Sequence, residues 1–308
     1  MRPDYPAAFD TIASWARTNR VTADEARKRF AQYTILRAIT SSRALSDLLV
    51  FKGGNALDFV WHPNRSTTDL DFSADMDAVL RLDPAWNPVA LKDYLQTRLT
   101  AGLGTSTRLF GVVLAIHSFR QQPPKPDSTF ITYEARVGYA MPDEQKLRKR
   151  LAQGGASANV IPLDISLNEP ICADERIDLR GQQRLRVCTI EDIVAEKLRA
   201  LLQQPLRNRT REQDLLDIAV ILRAHPGFDG VRVAAYLLRK AAARNVPVSR
   251  RAFHDPRVIS LAQQDYAALA QTTRTSFIPF GEALASLHTF VAALAIPADT
   301  PPEPQQPA

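Results

Sequence analysis

The sequence predicts an α+β chain, an α/β half led by an N-terminal helix and followed by a helical half. Three observations predict it. Apolar residues recur at helical spacing between Ala23 and Arg43, short apolar or alternating runs bounded by turn residues follow, and from about residue 188 the helical period holds almost to the end. The expected domains are 1–187, α/β, and 188–296, helical. A disordered tail is expected at 297–308, where five of the chain's 21 prolines fall in twelve residues with no apolar run.

Taken in order, Ala26, Phe30, Tyr33, Ile35-Leu36 and Ile39 mark the first helix, with Thr22 placed to cap it ahead of Glu25. Leu48 to Phe51 reads as a short buried strand. Gly53-Gly54 turns the chain into a short helix carrying Ala56, Leu57, Phe59 and Val60, which His62-Pro63-Asn64-Arg65 ends. Asp69-Leu70-Asp71-Phe72 alternates charged and apolar residues as a strand does. Leu91 to Leu103 is expected as a helix, and Gly111 to Ile116 and Thr129 to Tyr139 as strands. Between those strands, Gln121 to Asp127 contains three prolines and is expected as an exposed hairpin loop. Val160 to Leu167 supplies another strand. The expected later helices are Ile190 to Gln203, Arg211 to Ala224, Val231 to Arg244 and Tyr266 to Leu294, the last broken near Pro279.

The chain has 39 Lys+Arg against 33 Asp+Glu, a formal net charge of +6, which favours polyanionic partners or serves solubility alone. Cys172 and Cys188, the two cysteines, form no C-x-x-C pair and have no His at ligand spacing, so neither a zinc site nor a disulfide framework is indicated. No charged segment followed by an apolar one opens the chain, and no run approaches the roughly 20 apolar residues that span a bilayer. A cytoplasmic protein with no membrane partner is the expectation.

Two constellations carry chemistry. Gly-Gly directly after a buried strand lets backbone N–H groups approach phosphate oxygens, or is only a tight strand-to-helix turn. Asp69 and Asp71, two apart on a strand, point to one side and can share a hard cation, or they lie at an exposed strand end. Asp164, set among Ile161, Leu163 and Ile165, is either a third ligand or general base, or a carboxylate paired with an arginine. Lys197, Arg211, Asp214 and Asp217 lie on predicted helices, where charge pairs are common.

The segments Phe51-Lys52-Gly53-Gly54-Asn55-Ala56-Leu57 and Arg65-Ser66-Thr67-Thr68-Asp69-Leu70-Asp71-Phe72, fourteen residues lying between Gly54 and Asp69, resemble the AbiEii/AbiGii nucleotidyltransferase toxins of the DNA polymerase beta-like superfamily. Glu191 to Leu198 and Arg211 to Ile218 resemble further blocks of that family, in the family's order. The resemblance implies a mixed-sheet nucleotidyltransferase domain and a helical domain that contributes to the active-site cleft. Asp69 and Asp71 would bind Mg²⁺; Lys52, Gly53, Gly54, Arg65 and Thr67 would bind the nucleotide. Lys197 would contact nucleotide or acceptor phosphates, Asp214 would make a further essential contact, and Asp164 would activate the acceptor hydroxyl. Asn55 stands where Thr is frequent, Thr67 where Ser is frequent, and Gln213 where a basic residue usually precedes the aspartate.

The implied reaction is transfer of a nucleoside monophosphate from an NTP to an acceptor, with RNA, in particular a tRNA 3′ end, as the acceptor and blocked translation as the result. A cognate antitoxin is the implied protein partner, and a phosphate on Thr67 is an expected way to oppose NTP and metal binding. Two alternatives share these residues: an NTP-dependent kinase acting on a protein partner, and a catalytically inactive nucleotide- or RNA-binding regulator. Arg136, Lys146, Arg148, Lys149 and Arg150, five basic residues within fifteen, form either an RNA-facing patch or a solvated cluster.

Overall fold

A computed structural model describes residues 5–65, 67–125, 128–180 and 184–299. The chain divides into two compact units, Met1–Cys188 and Thr189–Ala308. The first opens with α1 (Ile12–Asn19), α2 (Ala23–Ser41) and α3 (Arg43–Leu48), and Thr22 caps α2 by accepting the Glu25 amide. β1 (Leu49–Lys52) then runs into α4 (Gly53–Ala56) and a π-helical turn at Leu57–Trp61. β2 (Leu70–Ala74), α5 (Met76–Leu82), α6 (Pro88–Phe110), β3 (Val113–Gln122) and β4 (Thr132–Ala140) follow. α7 (Gln145–Ala152), β5 (Val160–Ser166), β6 (Asp174–Asp178) and β7 (Arg184–Cys188) complete the unit.

The strands form one mixed sheet in the order β3-β4-β5-β2-β1-β7-β6. β2 pairs with β5 and β1 with β7 in parallel, while the other neighbours are antiparallel. Because side chains alternate along each strand, register decides what each face carries. Phe51, Phe72, Leu70, Leu163, Ile165 and Tyr133 share one face and are buried. α2 and α6 pack there: Ser106 donates to the Thr34 carbonyl at 2.6 Å, and the Tyr133 hydroxyl donates to the Pro88 carbonyl at 2.6 Å. Burying a Phe or Leu side chain stabilises by roughly 1.5–3 kcal/mol, so this layer fixes the sheet and frees the opposite face for polar groups.

The second unit is helical: α8 (Ile190–Arg207), α9 (Glu212–Ala224), α10 (Gly230–Ala243), α11 (Pro256–Gln263) and α12 (Phe280–Ala293). Thr189 caps α8 by accepting the Asp192 amide at 3.3 Å.

Several expectations are corrected. β3 continues through Gln122, so the expected loop starts later, and its residues 126 and 127 lie outside the described residues. The expected break at Pro279 is present, with α12 beginning at Phe280, but the stretch before it forms only a 3-10 turn at Tyr266–Gln271 in place of a helix. Thr272 and Thr273 hydroxyls both donate to the Leu269 carbonyl, which competes with helix continuation. The carbonyls of Pro297 and Ala298 accept the amides of Arg250 and Arg251, while tail residues 300–308 lie outside the described residues. Asp69 lies one residue before β2 rather than within it.

Candidate active site

The polar face of the sheet carries a row set by strand register. Lys52 of β1 pairs with Asp71 of β2, Asp71 with Asp164 of β5, and Asp164 with Glu134 of β4. Directly paired residues project to the same side, so two strands that are far apart in sequence deliver Asp71 and Asp164 as neighbours. Asp69 stands just ahead of β2, close enough to act electrostatically on both. Burial pushes the Asp71 carboxyl up to about 7, with the Asp69 charge next and Asp164 and Glu169 adding to it against the pull of Lys52. Asp164 is pushed up to about 6, by burial first, then by Glu134 and Asp69. Negative charge thus exceeds what Lys52 neutralises, and a cation at this place would relieve the repulsion.

The glycine turn is built against these carboxylates. Gly53 adopts φ +73°, and a Cβ added there would fall 2.4 Å from Asp71 Oδ2. No L-residue fits that position without moving the carboxylate. A Cβ on Gly54 would fall 2.8 Å from Thr67 Cγ2, with an Arg65 guanidinium nitrogen 3.7 Å away. The Thr67 hydroxyl oxygen is buried and has no hydrogen-bond partner among the described residues, a donor that a ligand oxygen would satisfy. Lys52, Gly53, Gly54, Arg65, Thr67, Asp69, Asp71 and Asp164 are therefore gathered about one end of β1, β2 and β5, while Ser66 lies outside the described residues.

A buried frame holds the loop bearing Asp69. Gln32 of α2 donates to the carbonyls of Thr67 and Thr68, 3.0 Å each. Asn55 donates to the carbonyls of Asp69 and, at 3.2 Å, Thr67, and its own oxygen accepts Arg29 Nη1 at 3.1 Å. Arg29 in turn pairs with Asp58 at 2.7 Å, both nearly inaccessible to solvent, and lies over the Phe59 ring. A threonine at position 55 would offer one hydroxyl donor, whereas the two N–H groups of the asparagine support two carbonyls at once.

Sequence reasoning missed Glu169 and Glu134. Glu169 lies in the loop after β5, where Asn168 takes φ 60°, and it forms an ion pair with Lys52. Glu134 is exposed on β4. Neither belongs to a recognisable motif, but pairing β4 with β5 would have predicted the second of them.

In the second unit Lys197 of α8 donates to Asp214 Oδ1 at 2.8 Å and Asp217 Oδ2 at 2.7 Å, both on α9. Burial disfavours the ammonium, but the two carboxylates outweigh it and hold Lys197 above its ordinary value. Arg211 is 4.0 Å from Asp214 Oδ2. Lys240 of α10 makes a similar buried pair with Asp192, 2.8 Å away. The predicted Lys197 and Asp214 are thus joined to one another, with Asp217 as a third member.

Among the described residues no three His, Cys, Asp or Glu side chains close into a metal cage. Magnesium does not need one, since it is commonly held by one or two carboxylates together with substrate phosphates. The hard oxygen donors of Asp69 and Asp71, crowded by their own charge beside an unsatisfied Thr67 hydroxyl, fit that mode.

A mixed sheet with carboxylates beside a Gly-Gly turn, followed by a helical unit, is an arrangement suited to nucleotidyl transfer. Residues 34–292 match the family described as nucleotidyl transferase AbiEii toxin, type IV toxin–antitoxin system. The chain belongs to this family of toxins, whose membership implies an NTP substrate and an antitoxin partner. The fold is similar to MenT4, a nucleotidyltransferase toxin from Mycobacterium tuberculosis H37Rv, with TM-score 0.54 and 19% identity over 92% of this chain and 90% of that one. A protein described as a putative nucleotidyltransferase from H. pylori matches with TM-score 0.45 and 16% identity over 85% of this chain and 92% of that one. No curated protein matches the chain. No helix among the described residues is long and apolar enough to cross a membrane.

Proposed function

We propose that this toxin transfers a nucleoside monophosphate from an NTP to the 3′ hydroxyl of an RNA, a tRNA 3′ end, and thereby blocks translation. The observation that carries this reading is the register-paired Asp71 and Asp164, with Asp69 beside them and the Gly53-Gly54 turn pressed against Asp71. Asp69 and Asp71 hold Mg²⁺, which supplies charge neutralisation at the phosphates when bound. The amides at Gly53-Gly54, the Thr67 hydroxyl and the Arg65 guanidinium bind phosphate oxygens, and Lys52, steadied by Glu169, adds positive charge at the edge of the same row. Asp164 accepts the proton of the acceptor hydroxyl as its oxygen bonds to the α-phosphorus. The bond from that phosphorus to the bridging oxygen of the β-phosphate breaks, and pyrophosphate leaves.

Lys197 and Asp214 serve the reaction as a pair. Asp214 and Asp217 keep Lys197 charged, and Lys197 fixes the direction of the Asp214 carboxylate. A phosphate on Thr67 would occupy the space that the triphosphate needs, in keeping with inhibition by modification. The test is incubation of the protein with Mg²⁺, total RNA and each α-labelled NTP in turn, beside Asp69→Ala. Label in a tRNA-sized product from wild type alone, with pyrophosphate released, supports the reading. Well-folded wild-type protein that labels no RNA with any NTP counts against it.

A further inference from the structure

The polar face does not end at Asp164. Glu134 of β4 pairs with Arg120 of β3, and Arg136, two residues on from Glu134, pairs with Ser118. The row therefore runs Lys52, Asp71, Asp164, Glu134, Arg120 across five strands. At about 4.8 Å per strand, Arg120 stands about 10 Å from Asp164. A cavity of about 330 Å³ opens over this stretch, lined by Asp164, Glu134, Arg120 and Arg136 with Ser118 and Gln122.

Arg120 and Arg136 are exposed, and neither has an ion-pair partner among the described residues. Diagonal neighbours on paired strands lie roughly 7–8 Å apart, so the two guanidiniums face one shared space. Two unmatched cations bordering a cavity that ends at the carboxylate Asp164 form a receptor for an anion. A guanidinium fork suits phosphate oxygens in particular.

We propose that Arg120 and Arg136 bind the phosphodiester immediately upstream of the acceptor's 3′ hydroxyl, laying the RNA strand across β3 and β4 so that the hydroxyl arrives at Asp164. This rests on the RNA-acceptor reading above. Glu134, between the arginines and Asp164, repels a phosphate from the Asp164 end and accepts hydrogen bonds from a ribose hydroxyl or base amino group. Ser118 and Gln122 add neutral donors beside the phosphate.

The test compares wild type with Arg120→Gln/Arg136→Gln and with Arg120→Lys/Arg136→Lys. It measures binding of fluorescent tRNA against salt, Mg–NTP binding, and KM for RNA in label incorporation. The glutamine pair is expected to raise the KM for RNA about tenfold or more and to reduce the salt slope by about 0.7, the value for one phosphate on a single strand. Mg–NTP affinity stays within about twofold, since no phosphate of the nucleotide is assigned to this site. The lysine pair keeps most of the salt slope. Unchanged slope and KM in the glutamine pair overturn the proposal while leaving nucleotidyl transfer to RNA standing. If wild type labels no RNA, the RNA-acceptor reading fails, and the binding measurement still decides the site. If the glutamine pair misfolds, Arg120→Gln and Arg136→Gln are measured singly: a lowered salt slope and a raised KM for RNA in either supports the site, and wild-type values in both overturn it. A glutamine pair that binds tRNA normally but no longer binds the antitoxin also overturns the proposal, in favour of an acidic protein ligand.

Discussion

At the scale of single residues, stability and function pull Asp71 in opposite directions. The carboxylate is held among Asp69, Asp164 and Glu169 and pushed up by burial, so in the absence of a cation it opposes folding. Asp71→Asn is expected to lower nucleotidyl transfer by on the order of 10³-fold, several kcal/mol of lost charge stabilisation, yet to raise the melting temperature measured in EDTA. A lowered melting temperature would show that the carboxylate is a structural anchor instead. Gly53→Ala combines an unfavourable φ of +73° with a Cβ 2.4 Å from Asp71 Oδ2. It should cost about 1–2 kcal/mol of stability and displace the Asp71 carboxylate, so that full activity in a variant of unchanged stability would contradict the geometry. Gly53, Gly54, Asp69 and Asp71 were legible because they are close in sequence and their types are chemically restrictive. Glu134, Glu169 and Arg120 were not, because only strand register and a loop return bring them to the same row.

At the scale of elements, the frame behind the site hangs on α2. Arg29→Met takes away the guanidinium that lies 2.7 Å from the buried Asp58 carboxylate, a change expected to cost about 3–5 kcal/mol in chemical denaturation. Arg29→Met/Asp58→Leu, which removes both charges, should recover a large part of that loss; no recovery would place the cost in the Asn55 contact instead. At the other end of the sheet, Arg186 of β7 binds Asp174 at 2.8 Å and Asp75 at 2.9 Å. Burial opposes the Asp75 carboxylate, but the Arg186 hydrogen bond, the Ala78 amide and the Arg186 charge overcome it and leave the group below its ordinary 3.8. An acid with a lowered folded pKa contributes stability that is present above its unfolded value and lost as pH falls through the folded one. Arg186→Met should therefore flatten the acid side of a stability profile below about pH 5, where a profile parallel to wild type would refute the linkage. β6 and β7, which carry these residues, escaped the sequence reading. β6 is the edge strand, with the pattern Asp-Glu-Arg-Ile-Asp, and its place in the sheet comes from its partner rather than from apolar alternation. α7 escaped for a related reason, since Leu151 is its one buried residue. By contrast α2, β1, β4 and β5 bury enough of their own apolar side chains to announce themselves.

At the scale of the whole molecule, the excess of 39 basic over 33 acidic residues is modest, and its placement matters more than its size. The cluster read as five residues is not one unit. Arg136 lies on β4, where it borders the cavity beside Asp164, whereas Lys146, Arg148, Lys149 and Arg150 lie on α7. Within α7, Arg148 donates to the Pro142 carbonyl at 2.8 Å and is partly buried, so its removal would confuse local structure with RNA affinity. Lys146, Lys149 and Arg150 are exposed and make the cleaner test. Changing these three to Gln is expected to lower the salt slope of tRNA binding by about 2, three contacts at about 0.7 each, and to raise the KM for RNA. On the RNA-acceptor proposal, in which these charges would only steer the acceptor, the turnover at saturating RNA should stay at the wild-type level. Binding that is unchanged at every salt concentration would instead mark α7 as a solubility surface, and would leave the arginines of β3 and β4 as the cations that engage RNA.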